Sequence, residues 1–113
     1  MKKPIDYINL EEGMPLGDEA MDMLKNKINR CRQNNMRCLY IIHGYGSSGK
    51  GGAIRIRVRK WLDSQLNGGK IKACVFGEEF NIVNDTSRSL NERFSGLEEL
   101  MRIHNHGVTV IEL

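Results

Sequence analysis

The sequence lacks any long apolar run, which argues against a membrane-spanning helix. Its longest uninterrupted apolar stretch covers about five residues, 38–42, whereas a helix needs about 20 apolar residues to cross a bilayer. The N-terminus begins with Met-Lys-Lys, but no apolar stretch of the kind found in signal peptides follows it. We therefore expect a cytoplasmic protein without a membrane partner.

Cysteine is scarce, and its spacing fits neither a disulfide framework nor a metal site. The chain has an odd number of cysteines, namely Cys31, Cys38 and Cys74, and no two of them are spaced as metal ligands are. We interpret them as reduced, mostly buried thiols. His104 and His106 lie two residues apart, but no cysteine or acid stands beside them at ligand spacing, which favours a polar turn over a metal pair. The sequence thus predicts no bound metal ion.

The chain is too short to build two hydrophobic cores. It has 113 residues, of which 40% are hydrophobic and 27% are charged, a balance that is ordinary for a folded chain and unlike that of a disordered one. No internal repeat, linker or low-complexity tract interrupts it. We therefore predict a single domain over residues 1–113.

Strand and helix patterns alternate along the chain. Short apolar runs predict strands over residues 5–10, 38–42, 71–76 and 108–113, and three- and four-residue spacings predict helices over residues 18–33, 53–67 and 85–103. Ser89 and Glu92 fit a capping box in the third helix. Strands that alternate with helices favour parallel neighbours. We expect an α/β fold, a two-layer sandwich with a mixed, largely parallel four-stranded sheet and helices packed on it.

Charge is distributed unevenly, although the formal net charge is only +3. Residues 50–60 contain five cations and no acid, whereas residues 78–99 contain six acids and two arginines. The net charge is too small to identify a partner, but the local pattern indicates a basic centre followed by an acidic segment.

A glycine-rich segment stands between the second strand and the basic helix, and residues 44–52 of this glycine loop contain five glycines. Glycines let backbone N–H groups approach a bound anion, and the N-terminus of the next helix adds partial positive charge. An aromatic side chain in the loop can stack on an unpaired base. The pattern predicts a phosphate-binding site formed by Gly44, Tyr45, Gly46, Gly49, Lys50, Arg55 and Arg59.

One alternative for this loop is a nucleotide-binding P-loop. Residues 44–51 reproduce the G-x-x-x-x-G-K core, but Gly51 stands where Ser or Thr would bind magnesium. No later strand ends in a convincing acid for the metal. We therefore favour a phosphate-binding site that needs no cofactor over a nucleotide-binding P-loop.

Several segments together resemble the Smr (small MutS-related) domain family. Residues 41–46, Ile-Ile-His-Gly-Tyr-Gly, resemble the family's IHGxG loop, and residues 53–62 resemble its LRxxVxxxL helix. Residues 18–20 fit the start of its first helix, and residues 107–113 fit its closing strand. The resemblance covers nearly the whole chain in the right order. It implies a domain that binds DNA or RNA and, in several members, cleaves it.

The first motif of the family is altered here. Where the family has LDLHG, this chain has Asn9 in place of the aspartate and Glu11 in place of the histidine. Phosphodiester hydrolysis needs a group that orients or deprotonates the nucleophile. The candidates for that role as catalytic residues are His43, whose usual pKa lies near neutral pH, and Glu11.

Relative to the family pattern that the chain resembles, residues 81–106 are expected to be an insertion, because the family usually has a short glycine-rich loop at this place. Their acidic helix offers a second functional interpretation, a non-enzymatic interaction or regulatory domain with a protein partner. Such a partner would dock on Leu90, Phe94, Leu97 and Met101, which share one helical face. The same residues could instead cover the sheet.

Overall fold

The computed structural model describes residues 1–13, 17–44, 50–103 and 105–113, with the backbone alone at residues 50 and 51. Within these ranges the chain forms four strands and four α-helices, in the order β1 (Asp6–Asn9), α1 (Gly17–Gln33), β2 (Cys38–Ile42), α2 (Lys50–Asn67), β3 (Ala73–Phe76), α3 (Asp85–Arg93), α4 (Leu100–Ile103) and β4 (Val108–Glu112). A 3₁₀ turn, Gly77–Glu79, follows β3. The predicted order of strands and helices is confirmed.

The four strands form one mixed sheet in the order β1-β2-β4-β3. β1 runs parallel to β2, and β4 runs antiparallel to both of its neighbours. Three strands therefore point the same way, which agrees with a mixed, largely parallel sheet. Neighbouring strands are nevertheless parallel in one pair only. β4 enters at the end where β3 stops, with Thr109 opposite Phe76, so it runs back between β2 and β3.

Helices α1 and α2 cover one face of the sheet. The stripe predicted for α1 is buried, including Ala20, Leu24 and Ile28, and α2 buries Ile54, Val58 and Leu62. These side chains pack on Leu39, Ile41 and Ile111, which alternate along β2 and β4. Apolar residues that recur every 3.6 positions along the helices and every second position along the strands thus meet in one apolar layer.

The segment between β3 and β4 covers the opposite face. Phe80, Leu90, Phe94, Leu97 and Leu100 are at most 4% exposed and pack on Cys38, Val75, Val108 and Val110. This layer lies on the face opposite α1 and α2, so apolar side chains cover both faces of the sheet. It also explains why β2 and β4 carry almost continuous apolar runs, since strands covered on both faces need no polar side.

The predicted third helix is interrupted. α3 ends at Arg93, and Phe94 is extended, pairs with Lys3 and buries its ring. Gly96 follows with φ +88°, a conformation that other residues rarely adopt and that stops a helix. The helix also starts differently from the expected capping box, because the Asn84 side chain accepts the N–H of Ser87 at 2.8 Å.

All three cysteines are free thiols, as predicted. Burial raises the pKa of Cys38 and of Cys74 to about 12, so neither forms a thiolate at neutral pH. Across the described residues, no helix is both long and apolar enough to cross a membrane.

Candidate functional site

The ends of β1 and β2 meet the turn before β4 at one edge of the sheet. The N–H groups of His43 and Gly44 both donate to the carbonyl oxygen of Gly107, at 2.9 and 3.0 Å. Gly44 has φ +74°, and a Cβ placed on it would lie 1.8 Å from Oε1 of Glu11. The positive φ favours glycine at residue 44. The carboxylate that follows β1 lies directly against the start of the glycine loop.

His43 is fully buried and hydrogen-bonded through both ring nitrogens. Its Nδ1 lies 2.7 Å from the carbonyl oxygen of Gly44, and its Nε2 lies 2.8 Å from Oγ1 of Thr109. A carbonyl oxygen can only accept, so Nδ1 carries the proton and Nε2 accepts from the Thr109 hydroxyl. The ring thus bridges the end of β2 and the start of β4.

Arg59, on α2, donates hydrogen bonds to several residues of this region. Its guanidinium donates to both carboxylate oxygens of Glu78, at 2.8 and 2.6 Å, and through Nε to Oγ1 of Thr109 at 3.2 Å. It also donates to the carbonyl oxygens of Val108 and His106, at 3.1 and 3.3 Å. Its side chain is only 12% exposed. These contacts occupy most of its five N–H donors.

The contacts of Arg59 and His43 form one ordered chain. Arg59 donates to Thr109, Thr109 donates to His43, and His43 donates to Gly44. Burial, together with the positive charges of Arg59 and Arg55, lowers the pKa of His43 to about 4, although the bond to Gly44 opposes this. The ring is therefore neutral at physiological pH, as the direction of the hydrogen bonds requires.

Two further arginines of α2, Arg57 and Arg55, have different contacts from those of Arg59. Arg57 forms an ion pair with Asp18, at the start of α1. Arg55 is half-buried, and within the described part of the chain no carboxylate forms an ion pair with it. Its charge reaches His43, as the lowered pKa of that ring indicates. Arg55 is thus a half-buried cation of α2 whose charge acts on His43, next to the start of the glycine loop.

The structure brings together five of the residues predicted for the site: Glu11, His43, Gly44, Arg55 and Arg59. Tyr45, Gly46 and Gly49 lie outside the described residues, as does His104. Lys50 begins α2, but its side chain is not described. Among the described residues, no group of three His, Cys, Asp or Glu side chains is arranged to hold a metal ion.

Sequence reasoning missed Thr109 and Glu78, the two partners that fix His43 and Arg59. Each left a signal. Thr109 is a polar residue within the otherwise apolar start of β4 and is fully buried, so it needs a hydrogen-bond partner. Glu78 is an acid two residues after the end of a short strand. Neither signal identifies the residue that forms the hydrogen bond, because the bond from Thr109 to His43 spans 66 positions of sequence and the bond between Glu78 and Arg59 spans 19.

Acid is expected to weaken the fold through His43. The unfolded ring binds a proton near pH 6.5 and the folded ring only near pH 4. The stabilisation is complete above about pH 6.5, and about 3 kcal/mol of it is lost as the pH falls to about 4. Urea unfolding across this window measures the pH dependence of the wild type and of His43→Gln, in which the part of the loss that comes from His43 should disappear.

The exposed His106 provides the matched control, since its side chain is 61% exposed. His106→Gln should keep the part of the pH dependence that comes from His43, because it leaves the buried ring and its two hydrogen bonds unchanged and removes only the 3.7 Å contact with Glu78. An equal difference in unfolding free energy between wild type and His43→Gln at pH 7 and pH 4 would contradict a buried, neutral ring.

Comparisons with known proteins agree on one family. A model of the Smr domain matches residues 13–78, more than half of the chain. The structure is similar to the crystal structure of the Smr domain of Thermus thermophilus MutS2, with a TM-score of 0.59 and 17% sequence identity. That match covers 96% of this chain and 98% of the other, and at such low identity it supports the fold alone. A comparison with curated protein sequences finds no match.

Proposed function

The chain belongs to the Smr domain family, and we propose that it is a nucleic-acid-binding domain whose ligand phosphates lie at the glycine loop and the first turns of α2. The observation that carries this proposal is the fixed position of residues 43 and 44 at the edge of the sheet, beside the N-terminal turns of a basic helix. In open α/β sheets, ligands bind beyond the carboxyl ends of the strands. The family is known for nucleic-acid binding, which points to the same class of ligand.

Different residues have different roles in this proposal. Lys50 and Arg55 supply the charges that attract a phosphate, because they lie in the first turns of α2. Arg59 was expected to be a phosphate ligand, but its guanidinium is engaged by Glu78 and Thr109, so we assign it to positioning the loop. His43 has the same positioning role, since its buried ring has both nitrogens bonded.

We propose that residues 1–113 form a single Smr-like domain with a helical insertion at about 81–106. The family model ends at residue 78, just before this segment. The alternative function is docking of a protein partner on the apolar face of the insertion, and the burial of most of that face disfavours it. Leu90, Phe94 and Leu97 are 0–2% exposed and pack against the sheet, and of the four residues predicted for docking only Met101 is partly exposed.

The binding proposal is tested with Lys50→Ala/Arg55→Ala. Fluorescence anisotropy across a salt series gives the affinity for single-stranded DNA, duplex DNA and RNA. The variant should bind more weakly, and the slope of log K against log[salt] should become shallower by about 0.7–0.9 for each phosphate that the protein no longer neutralises.

A matched control is Lys70→Ala/Lys72→Ala, which removes the same formal charge. These lysines follow the C-terminal end of α2, away from the glycine loop, and both are exposed. The control should bind nearly as well as the wild type. Equal weakening by both double variants would assign binding to net charge rather than to the loop, and no binding at low salt would refute the proposal.

A second candidate function is phosphodiester hydrolysis, and the placement of Glu11 favours it. The carboxylate is exposed and lies against Gly44, where the proposed phosphate site begins. A carboxylate at such a position can orient or deprotonate an attacking water. His43, fully buried and neutral, is poorly placed to take that role.

Hydrolysis is tested by nicking of supercoiled DNA and cleavage of labelled RNA. The wild type should cleave, and Glu11→Gln should reduce the rate by about 100-fold or more while leaving binding unchanged, because only the proton acceptor is removed. Glu12→Gln, the adjacent exposed residue, is the control. A wild type that binds but does not cleave would leave the protein as a binding domain.

A further inference from the structure

A small hollow lies on the face of the sheet opposite α1 and α2. It has a volume of about 130 Å³ and is formed by β2, α4 and the residues on either side of α4. Since an apolar cavity of about 150 Å³ holds one benzene ring, the hollow has room for a single aromatic ring. Its lining consists of Tyr40, Gly96, Glu99, Leu100, Ile103 and Asn105.

The lining combines apolar walls with groups that form hydrogen bonds. Tyr40 is half-buried and packs against the apolar cluster of this face, which includes Leu100. Burial, and then the charge of Glu99, raise the pKa of Tyr40, so its hydroxyl stays protonated at neutral pH and can donate. The exposed carboxylate of Glu99 can accept from the amino group of a base but repels a phosphate. The hollow therefore suits the base of a nucleotide better than its phosphate.

Tyr7 adds an exposed aromatic ring on the same face of the sheet. Both of its neighbours in β1 face α1, because Asp6 forms an ion pair with Lys27 and Ile8 packs in the core beneath α1 and α2. Side chains alternate along a strand, so Tyr7 lies on the other face, in register with Tyr40 of β2. It is 67% exposed. Exposed aromatic side chains on a sheet are used to stack unpaired bases.

Hydrogen bonds connect the hollow with the start of the glycine loop. Oδ1 of Asn105 accepts the N–H of Gly107 at 2.8 Å, and the carbonyl oxygen of Gly107 accepts the N–H of Gly44 at 3.0 Å. A Cβ placed on Gly107 would lie 3.2 Å from Oδ1 of Asn105 and 3.4 Å from Cα of Gly44. Only Gly107 therefore separates the lining of the hollow from the loop.

The end of β1 leads to the same loop. Asn9 lies on the same face as Tyr7, and its Oδ1 accepts the N–H of Glu11 at 2.9 Å. The carboxylate of Glu11 in turn lies against Gly44. The hollow and Tyr7 are thus both connected, through short chains of contacts, to the place where the proposed phosphate site begins.

We propose that this face of the sheet binds unpaired bases of a single nucleic-acid strand, with one base in the hollow against Tyr40 and the next stacked on Tyr7. The inference rests on the proposed function and adds a preference for single strands to it. Neighbouring nucleotides are only a few ångströms apart along a strand, so a strand with a phosphate at Gly44 can place adjacent bases here. Bases within a duplex are already stacked on each other and cannot use these rings.

The test compares Tyr7→Ala with Tyr7→Phe, which keeps the ring and removes only the hydroxyl. Anisotropy is measured with a short single strand, with the matching duplex, and with an abasic strand of the same length. Tyr7→Ala should weaken binding of the intact single strand by about fivefold or more, whereas Tyr7→Phe should stay within about twofold of the wild type. On the abasic strand, the wild type and both variants should bind alike.

A second variant, Ile103→Ala, tests the hollow independently. Its matched control is Ile82→Ala, the same change at another exposed isoleucine, which does not line the hollow. The fold should persist in both variants, because Ile103 is 56% and Ile82 is 71% exposed. Ile103→Ala should weaken binding of the intact single strand by about threefold or more, because apolar contact with the base is lost. Ile82→Ala should keep the wild-type affinity.

Four results would overturn the inference: wild-type affinity of Tyr7→Ala, an equal loss on intact and abasic strands, equal affinity of the wild type for duplex and single strand, or equal effects of Ile103→Ala and Ile82→Ala. If Lys50→Ala/Arg55→Ala still loses binding in those cases, the proposed function stands and only the base site is refuted.

Discussion

The bidentate ion pair between Arg59 and Glu78 is the interaction on which the candidate site depends. Arg59 lies on α2, yet its donors reach the turn after β3 and the start of β4, and through Thr109 they orient His43 at the end of β2. A single guanidinium thus ties three strand ends to one helix. Removing one partner of such a pair leaves a largely buried charge without compensation, at a cost of about 3–5 kcal/mol when burial is complete. The positions of His43 and of the start of β4 rely on this anchor.

The two faces of the sheet have separate tasks. One face carries α1 and α2, and with them the cations at the start of α2. The other face is covered by the segment between β3 and β4, which buries one set of apolar side chains in the sheet but leaves Ile82, Val83 and Ile103 exposed. The phosphate site that we propose therefore draws on the helices of one face only.

Much of the fold could be predicted from the sequence because it depends on local periodicity. The apolar stripe of α1 could be predicted from its three- and four-residue spacing, and β2 from its continuous run of apolar residues. The placement of β4 between β2 and β3 could not be predicted, because it depends on which strands the chain pairs with after residue 107. The same limit applies to the site. Gly44 and Glu11 were found by motif position, whereas the burial of Arg59 follows from contacts with residues distant in sequence, which no local pattern contains.

The central claim is that nucleic acid lies on the edge formed by β1, the glycine loop and the start of α2. The most direct measurement is an NMR titration of ¹⁵N-labelled protein with a short single-stranded oligonucleotide, followed through the backbone amides. We expect shifts that saturate at Glu11, Gly44 and Arg55, with residues 81–93 unchanged. Shifts confined to the acidic segment, or an unchanged spectrum at low salt, would contradict the claim.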